Sequence, residues 1–212
     1  MGGEINLESV EKLLKKRTSK QVLFSSFRVF KWTKKTRKQN AIICILSLIP
    51  SIFIGISPNT QTIFGDSCQT ILEIIVGMFG VVFTGYSFFQ ALINKELLVR
   101  MIQSESIGDN GETKTKLQET NESFVECMML DLIFVFVSLF LKIVVACIPE
   151  DFLLFSTVWM SNLTAILGLF IYFYCIIVVF NGVKSFIFNV FQLFNIYAGT
   201  RVIQLFKDQN KD

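Results

Sequence analysis

The chain has 212 residues, 52% of them hydrophobic, with 23 Phe, no His and only 17% charged, against about 25% charged in an ordinary soluble domain. A body this small cannot bury so much apolar matter and still keep a polar surface, so part of it must face lipid and a soluble globular fold is excluded. The net charge of +3 hides an uneven distribution: residues 1–40 hold eleven of the 20 Lys and Arg but only Glu4, Glu8 and Glu11 among the acids, a local balance of +8.

Residues 1–40 read as a basic leader. Phe24, Phe27, Phe30 and Trp32 interleave with Arg28, Lys31, Lys34, Lys35, Arg37 and Lys38. Because the segment abuts an apolar run, rings at the membrane interface and cations on anionic lipid headgroups account for it. Docking of a cytoplasmic partner is the second reading. Direct nucleic-acid binding is not expected, since no recognition motif accompanies the basic run.

The first apolar run, residues 41–57, reaches about 26 Å as a helix, just enough for hydrocarbon. Some forty residues precede it, which does not fit a cleaved signal peptide. Pro50 should kink it and Pro58 favours a stop. A polar loop follows over 58–70, then a second run over 71–94, expected to continue as helix through Leu97, Leu98, Met101 and Ile102. Residues 95–127 form a polar excursion, predicted as two short helices around a turn at Gly108 to Gly111.

The third run covers 128–148. After the turn at Pro149, Glu150 and Asp151, residues 152–180 are apolar for about 44 Å of helix, so the helix is tilted or its first residues lie at the outer interface. The change of periodicity after Asn181 and Gly182 predicts a separate amphipathic helix in the tail, 182–212. The layout is thus an all-α integral membrane protein. A leader (1–40), a transmembrane hairpin (41–94), the excursion (95–127), a second hairpin (128–181) and the tail follow one another.

Orientation follows from the positive residues. The two outer loops, 58–70 and 149–157, contain no Lys or Arg, whereas 19 of the 20 lie in the leader, excursion and tail. The positive-inside bias therefore predicts that both ends are cytoplasmic.

On the second span Glu73, Gly77, Gly80, Thr84, Ser87, Ala91 and Asn94 recur at alternating steps of four and three. Small side chains on one face let helix backbones approach closely where lipid gives no hydrophobic drive. The face is therefore expected to be buried against protein, either inside one protomer or around an oligomer axis. A third possibility is a pore lined by Thr84 and Ser87.

Three charges fall in or near the apolar runs: Glu73, Asp131 and Lys142. Ionisable groups at such depths mark a buried partner or a function. Glu73 and Asp131 lie close enough to span ends to touch the headgroup region, and Lys142 stands at a depth compatible with an ion pair to Glu73. Asp131, Ser138 and Lys142 share one helical face.

Cys68, in the polar loop, is either free or paired between chains. No metal set is evident, since His is absent and the five cysteines are widely spaced. No cofactor is expected. An enzyme is hard to build here, without a phosphate-binding loop, a nucleophile motif or a paired acid and base.

The basic leader, the GYSFFQALINKELLVRM stretch of residues 85–101, the polar excursion and the two closing helices resemble the membrane subunits of Kiwa-type antiphage systems. The resemblance implies a homo-oligomer of four copies in the bacterial inner membrane. It would sense phage attack and work with a cytoplasmic nucleic-acid-binding effector, with leader, excursion and tail as candidate contacts. A depolarising pore and a housekeeping channel or transporter are the alternatives.

Overall fold

The computed structural model describes residues 18–31, 36–107, 113–149 and 157–209. In chain order these form α1 (Ser19–Ser26), a 3-10 turn (Phe27–Phe30), α2 (Arg37–Ile56) and α3 (Thr60–Leu92), then α4 (Lys95–Gln103). The strands β1 (Glu105–Ile107) and β2 (Thr113–Thr115) follow, then α5 (Lys116–Cys147) and α6 (Val158–Gln209). Helices α2, α3, α5 and α6 are each long and apolar enough to cross a membrane. The class is all-α, with one small antiparallel pair in which Ser106 faces Lys114.

Side-chain caps set several boundaries. Thr18 and Gln21 exchange hydrogen bonds in a capping box at the start of α1. The Leu97 N–H donates to Asn94 Oδ1 at 2.8 Å, so the second long helix ends and α4 begins anew. Thr115 caps α5 through the Gln118 N–H at 3.2 Å.

The polar stretches behave differently from the expected loops. The connection between α2 and α3 shrinks to residues 57–59. Its turn is closed by Thr60, whose hydroxyl lies 2.7 Å from the Ile54 carbonyl and 2.6 Å from that of Ser57. Residues 60–70 are helical and α3 is 33 residues long, about 50 Å. In the excursion, helix stands on both sides of the expected turn, but the strand pair lies between and the second stretch is the start of α5, from Lys116, rather than a separate short helix. The turn at Gly108 to Gly111 lies outside the described residues.

The tail also departs from expectation. Asn181 and Gly182 do not break the helix, and α6 runs 52 residues without interruption, about 78 Å and more than twice a hydrocarbon layer of ~30 Å. Gly182 packs beside the 3-10 turn instead, where a Cβ would stand in ordinary contact with Val29 at 3.8 Å. Gln39 donates to Asn181 Oδ1 at 2.7 Å beside it. Most of the segment expected at the outer interface, 152–156, lies outside the described residues.

Helix α2 lies mainly against α6, and α3 mainly against α5. One core cluster joins Cys68 and Ile75 of α3 to Leu130 and Phe134 of α5 and Tyr172 and Ile176 of α6. The second, nearer the leader end, gathers Val82, Phe89, Leu97, Met101, Phe124, Val183 and Phe186. Phe124 is its hub, stacked on Phe89 at 5.2 Å between ring centres and edge-on to Phe186 at 4.7 Å.

Candidate functional site

Helix α3 presents two opposite faces. Cys68, Ile75, Val82 and Phe89, seven residues apart in turn, are buried. At 100° per residue the small-residue stripe lies on the far side of the helix. Glu73, Gly77, Gly80, Thr84, Ser87 and Ala91 are all exposed. The protomer therefore does not bury this stripe, contrary to one of the expected arrangements. A Cβ added at Gly77 or Gly80 would meet nothing within 4 Å. The hydroxyls of Thr84 and Ser87 donate to their own helix, to the Gly80 carbonyl at 2.8 Å and the Phe83 carbonyl at 3.0 Å.

A small-residue seam that does close within the protomer sits on α2, where sequence reasoning overlooked it. Ser47, Ser51 and Gly55 are buried at steps of four, the spacing that lets two membrane helices approach closely. A Cβ at Gly55 would overlap the Ile166 side chain and come within 3.2 Å of its backbone nitrogen. The spacing was present to be read. What hid it was the stronger polar signal of the α3 stripe.

The three charges divide by environment. Lys142 reaches Glu73 indirectly: its ammonium donates to Gln69 Oε1, and Gln69 Nε2 donates to Glu73 Oε1. The predicted pair is thus bridged by an amide. At the same end, Gln61 donates to the Val145 carbonyl at 2.8 Å and also to that of Ile148, tying α3 to the end of α5. One turn inward, Ser138 is fully buried and shares a hydrogen bond of 2.9 Å with the Tyr172 hydroxyl.

Asp131 is different. It is 0% exposed, and among the described residues neither carboxylate oxygen has a hydrogen-bond partner. Asp131 lies near the span end, as expected, but α5 turns it inward and away from the protein surface. Cys68 lies within α3 rather than in a loop, and of its two expected states the free thiol is found, at 0% exposure.

The described part of the leader before α2, residues 18–31, packs on the bundle near Asp131. α1 packs on α5, and the 3-10 turn reaches α6. Phe30 turns inward to Phe134, with ring centres 6.3 Å apart, whereas Phe24 is 75% exposed. Arg28 is half-buried, and Lys31, Arg37 and Lys38 are exposed. Trp32, Lys34 and Lys35 lie outside the described residues. Leader, α2, α5 and α6 together enclose a cavity of about 500 Å³ with Arg28, Lys31, Glu126 and Asp131 in its wall. A smaller one of about 320 Å³ lies between α5 and the distal part of α6, with Glu119, Phe124, Phe186 and Asn189 in its wall.

Among the described residues, no three His, Cys, Asp or Glu side chains are grouped to hold a metal ion. No family model matches the sequence, and neither a curated protein nor a solved structure matches it.

Proposed function

We propose that this chain is a homo-oligomeric sensor or scaffold subunit of the bacterial inner membrane, serving antiviral defence by recruiting a cytoplasmic nucleic-acid-binding effector. Both ends of the chain are cytoplasmic in this reading, and four copies assemble. The observation that carries it is the open small-residue face of α3. Glycine in a helix interior costs about 1 kcal/mol relative to alanine. Gly77 and Gly80 recover nothing from packing inside the protomer. A second copy of the chain lying along that face would recover it by close backbone approach.

The effector would meet the leader end, where the basic leader, α4, the strand pair and the projecting part of α6 gather. The leader's local +8 and the −3 of residues 95–126 suit a partner with patches of both signs. Anionic lipid is a further partner of the exposed Lys31, Arg37 and Lys38.

The mass of the protein extracted in mild detergent tests the assembly. Four copies are expected for the wild type and single protomers for Gly80→Leu; a single-protomer mass for the wild type in every detergent contradicts the proposal. Recruitment is tested by recovering neighbouring-gene products from membranes carrying the wild type or a deletion of residues 108–111. Equal recovery removes residues 108–111 from the mechanism. The exposed Thr84 and Ser87 favour one alternative, an oligomeric pore or small channel, and steady single-channel currents in a planar bilayer would select it.

A further inference from the structure

The cavity at the leader end has an unusual wall. Asp131 is fully buried with both oxygens unpartnered among the described residues. An ionised carboxylate in such a place must either take up a proton or be met by a donor, because burial strips its water without replacement. The other charges of the wall are Glu126, Arg28 and Lys31. Two acids and two cations make the wall neutral overall but dipolar.

The ligand that complements this wall carries both signs a few bonds apart. A simple anion would satisfy Arg28 and Lys31 but leave Asp131 bare. A quaternary ammonium would bring positive charge but no N–H for the carboxylate oxygens. A primary ammonium joined to a phosphate supplies both. The depth of the cavity points to the same class, since Asp131 lies four residues into the apolar stretch that begins at Met128 and Ile43 belongs to the first apolar run. The cavity of about 500 Å³ falls within the usual range for small-molecule sites, roughly 300–1,000 Å³.

We propose that this cavity holds the headgroup of an aminophospholipid, with its ammonium on Asp131 and Glu126 and its phosphate on Arg28 and Lys31. Ile43 and Val178 line the apolar part of the wall and face the glycerol end of the lipid. The site belongs to a single protomer. It needs only that the four long helices span a bilayer, and it stands whether or not copies assemble.

The test uses the full chain in detergent, stripped of lipid and offered phosphatidylethanolamine, phosphatidylcholine or phosphatidylglycerol, with bound lipid read by native mass spectrometry. The wild type should retain phosphatidylethanolamine at least about tenfold better than the other two, the discrimination expected of charge-assisted hydrogen bonds. Asp131→Asn should erase that preference. Arg28→Gln should weaken both phosphatidylethanolamine and phosphatidylglycerol, and Glu73→Gln, at the opposite end of the bundle, should change nothing.

Equal retention of all three lipids by the wild type overturns the proposal, as does an Asp131→Asn variant with undiminished preference. If Asp131→Asn fails to fold, the wild-type headgroup preference decides alone. A third arm adds soluble phosphoethanolamine; displacement of the lipid at equal concentration would assign the site to the soluble molecule and overturn the lipid assignment. A protein that is monomeric yet keeps the headgroup preference would sink the assembly reading and leave this one intact.

Discussion

Two stripes of small residues run along neighbouring helices, and only one of them is closed. On α2, Ser47, Ser51 and Gly55 are buried, and α6 approaches until no Cβ fits at Gly55. On α3, Gly77, Gly80, Thr84 and Ser87 stand exposed, with open space over both glycines. The spacings differ as well. Steps of four favour a steeper helix crossing, and alternating fours and threes favour the shallow left-handed one. A small-residue stripe therefore identifies a face suited to close approach without saying which helix, or which copy, makes it.

The sharpest way to break the comparison is Gly55→Leu. The side chain would have to enter space held by Ile166, including its backbone, and the expected cost is roughly 3 kcal/mol, the upper part of the usual overpacking range. Thermal unfolding in detergent should show a large fall in melting temperature, or no folded protein. An unchanged melting temperature would mean that α2 and α6 are not closely packed.

A smaller loss tests how firmly the first part of α3 is tied to α5. Gln69→Ala removes the acceptor of the Lys142 bond and the donor of the Glu73 bond, and should cost about 1 kcal/mol, because none of these groups is fully buried. Gln69→Glu, which still accepts from Lys142 but cannot donate to Glu73, should recover only part of the loss and so separate the two bonds. The same unfolding assay reads both variants.

Gly80→Ala then separates the readings of the open stripe. If the face meets only lipid, the protomer should gain about 1 kcal/mol from helix propensity and nothing else should change. The oligomer account predicts that gain in the isolated protomer but a lower oligomer yield in membranes. Val81→Leu, off the stripe and exposed, is expected to stay within about 0.5 kcal/mol in either assay.

The spans were legible because long apolar runs have few other uses. Their ends were less so. Residues 60–70 look like a loop by polarity, yet Cys68 and Phe64 point into the core and Gln61 and Gln69 bond across to α5. Tertiary contacts therefore keep the segment helical. Asn181 and Gly182 carry the composition of a break, but the 3-10 turn and Gln39 pack against them and the helix passes through. Glu73, Asp131 and Lys142 were identifiable as unusual charges. Their surroundings were not, because an amide bridge or an inward-facing carboxylate depends on side chains distant in sequence. Whether a small-residue face closes inside the protomer is likewise a property of helix order around the bundle, which no local pattern encodes.

Cross-linking in native membranes tests the central claim most directly. In a background where the five native cysteines are replaced by alanine, a single cysteine is placed at Thr84 or at Val81, and mild oxidation is applied without detergent. The account predicts disulfide-linked dimers from Thr84→Cys and almost none from Val81→Cys. Equal yields at the two positions, or none at Thr84 with the protein still in the membrane, would contradict a second copy on the open face of α3.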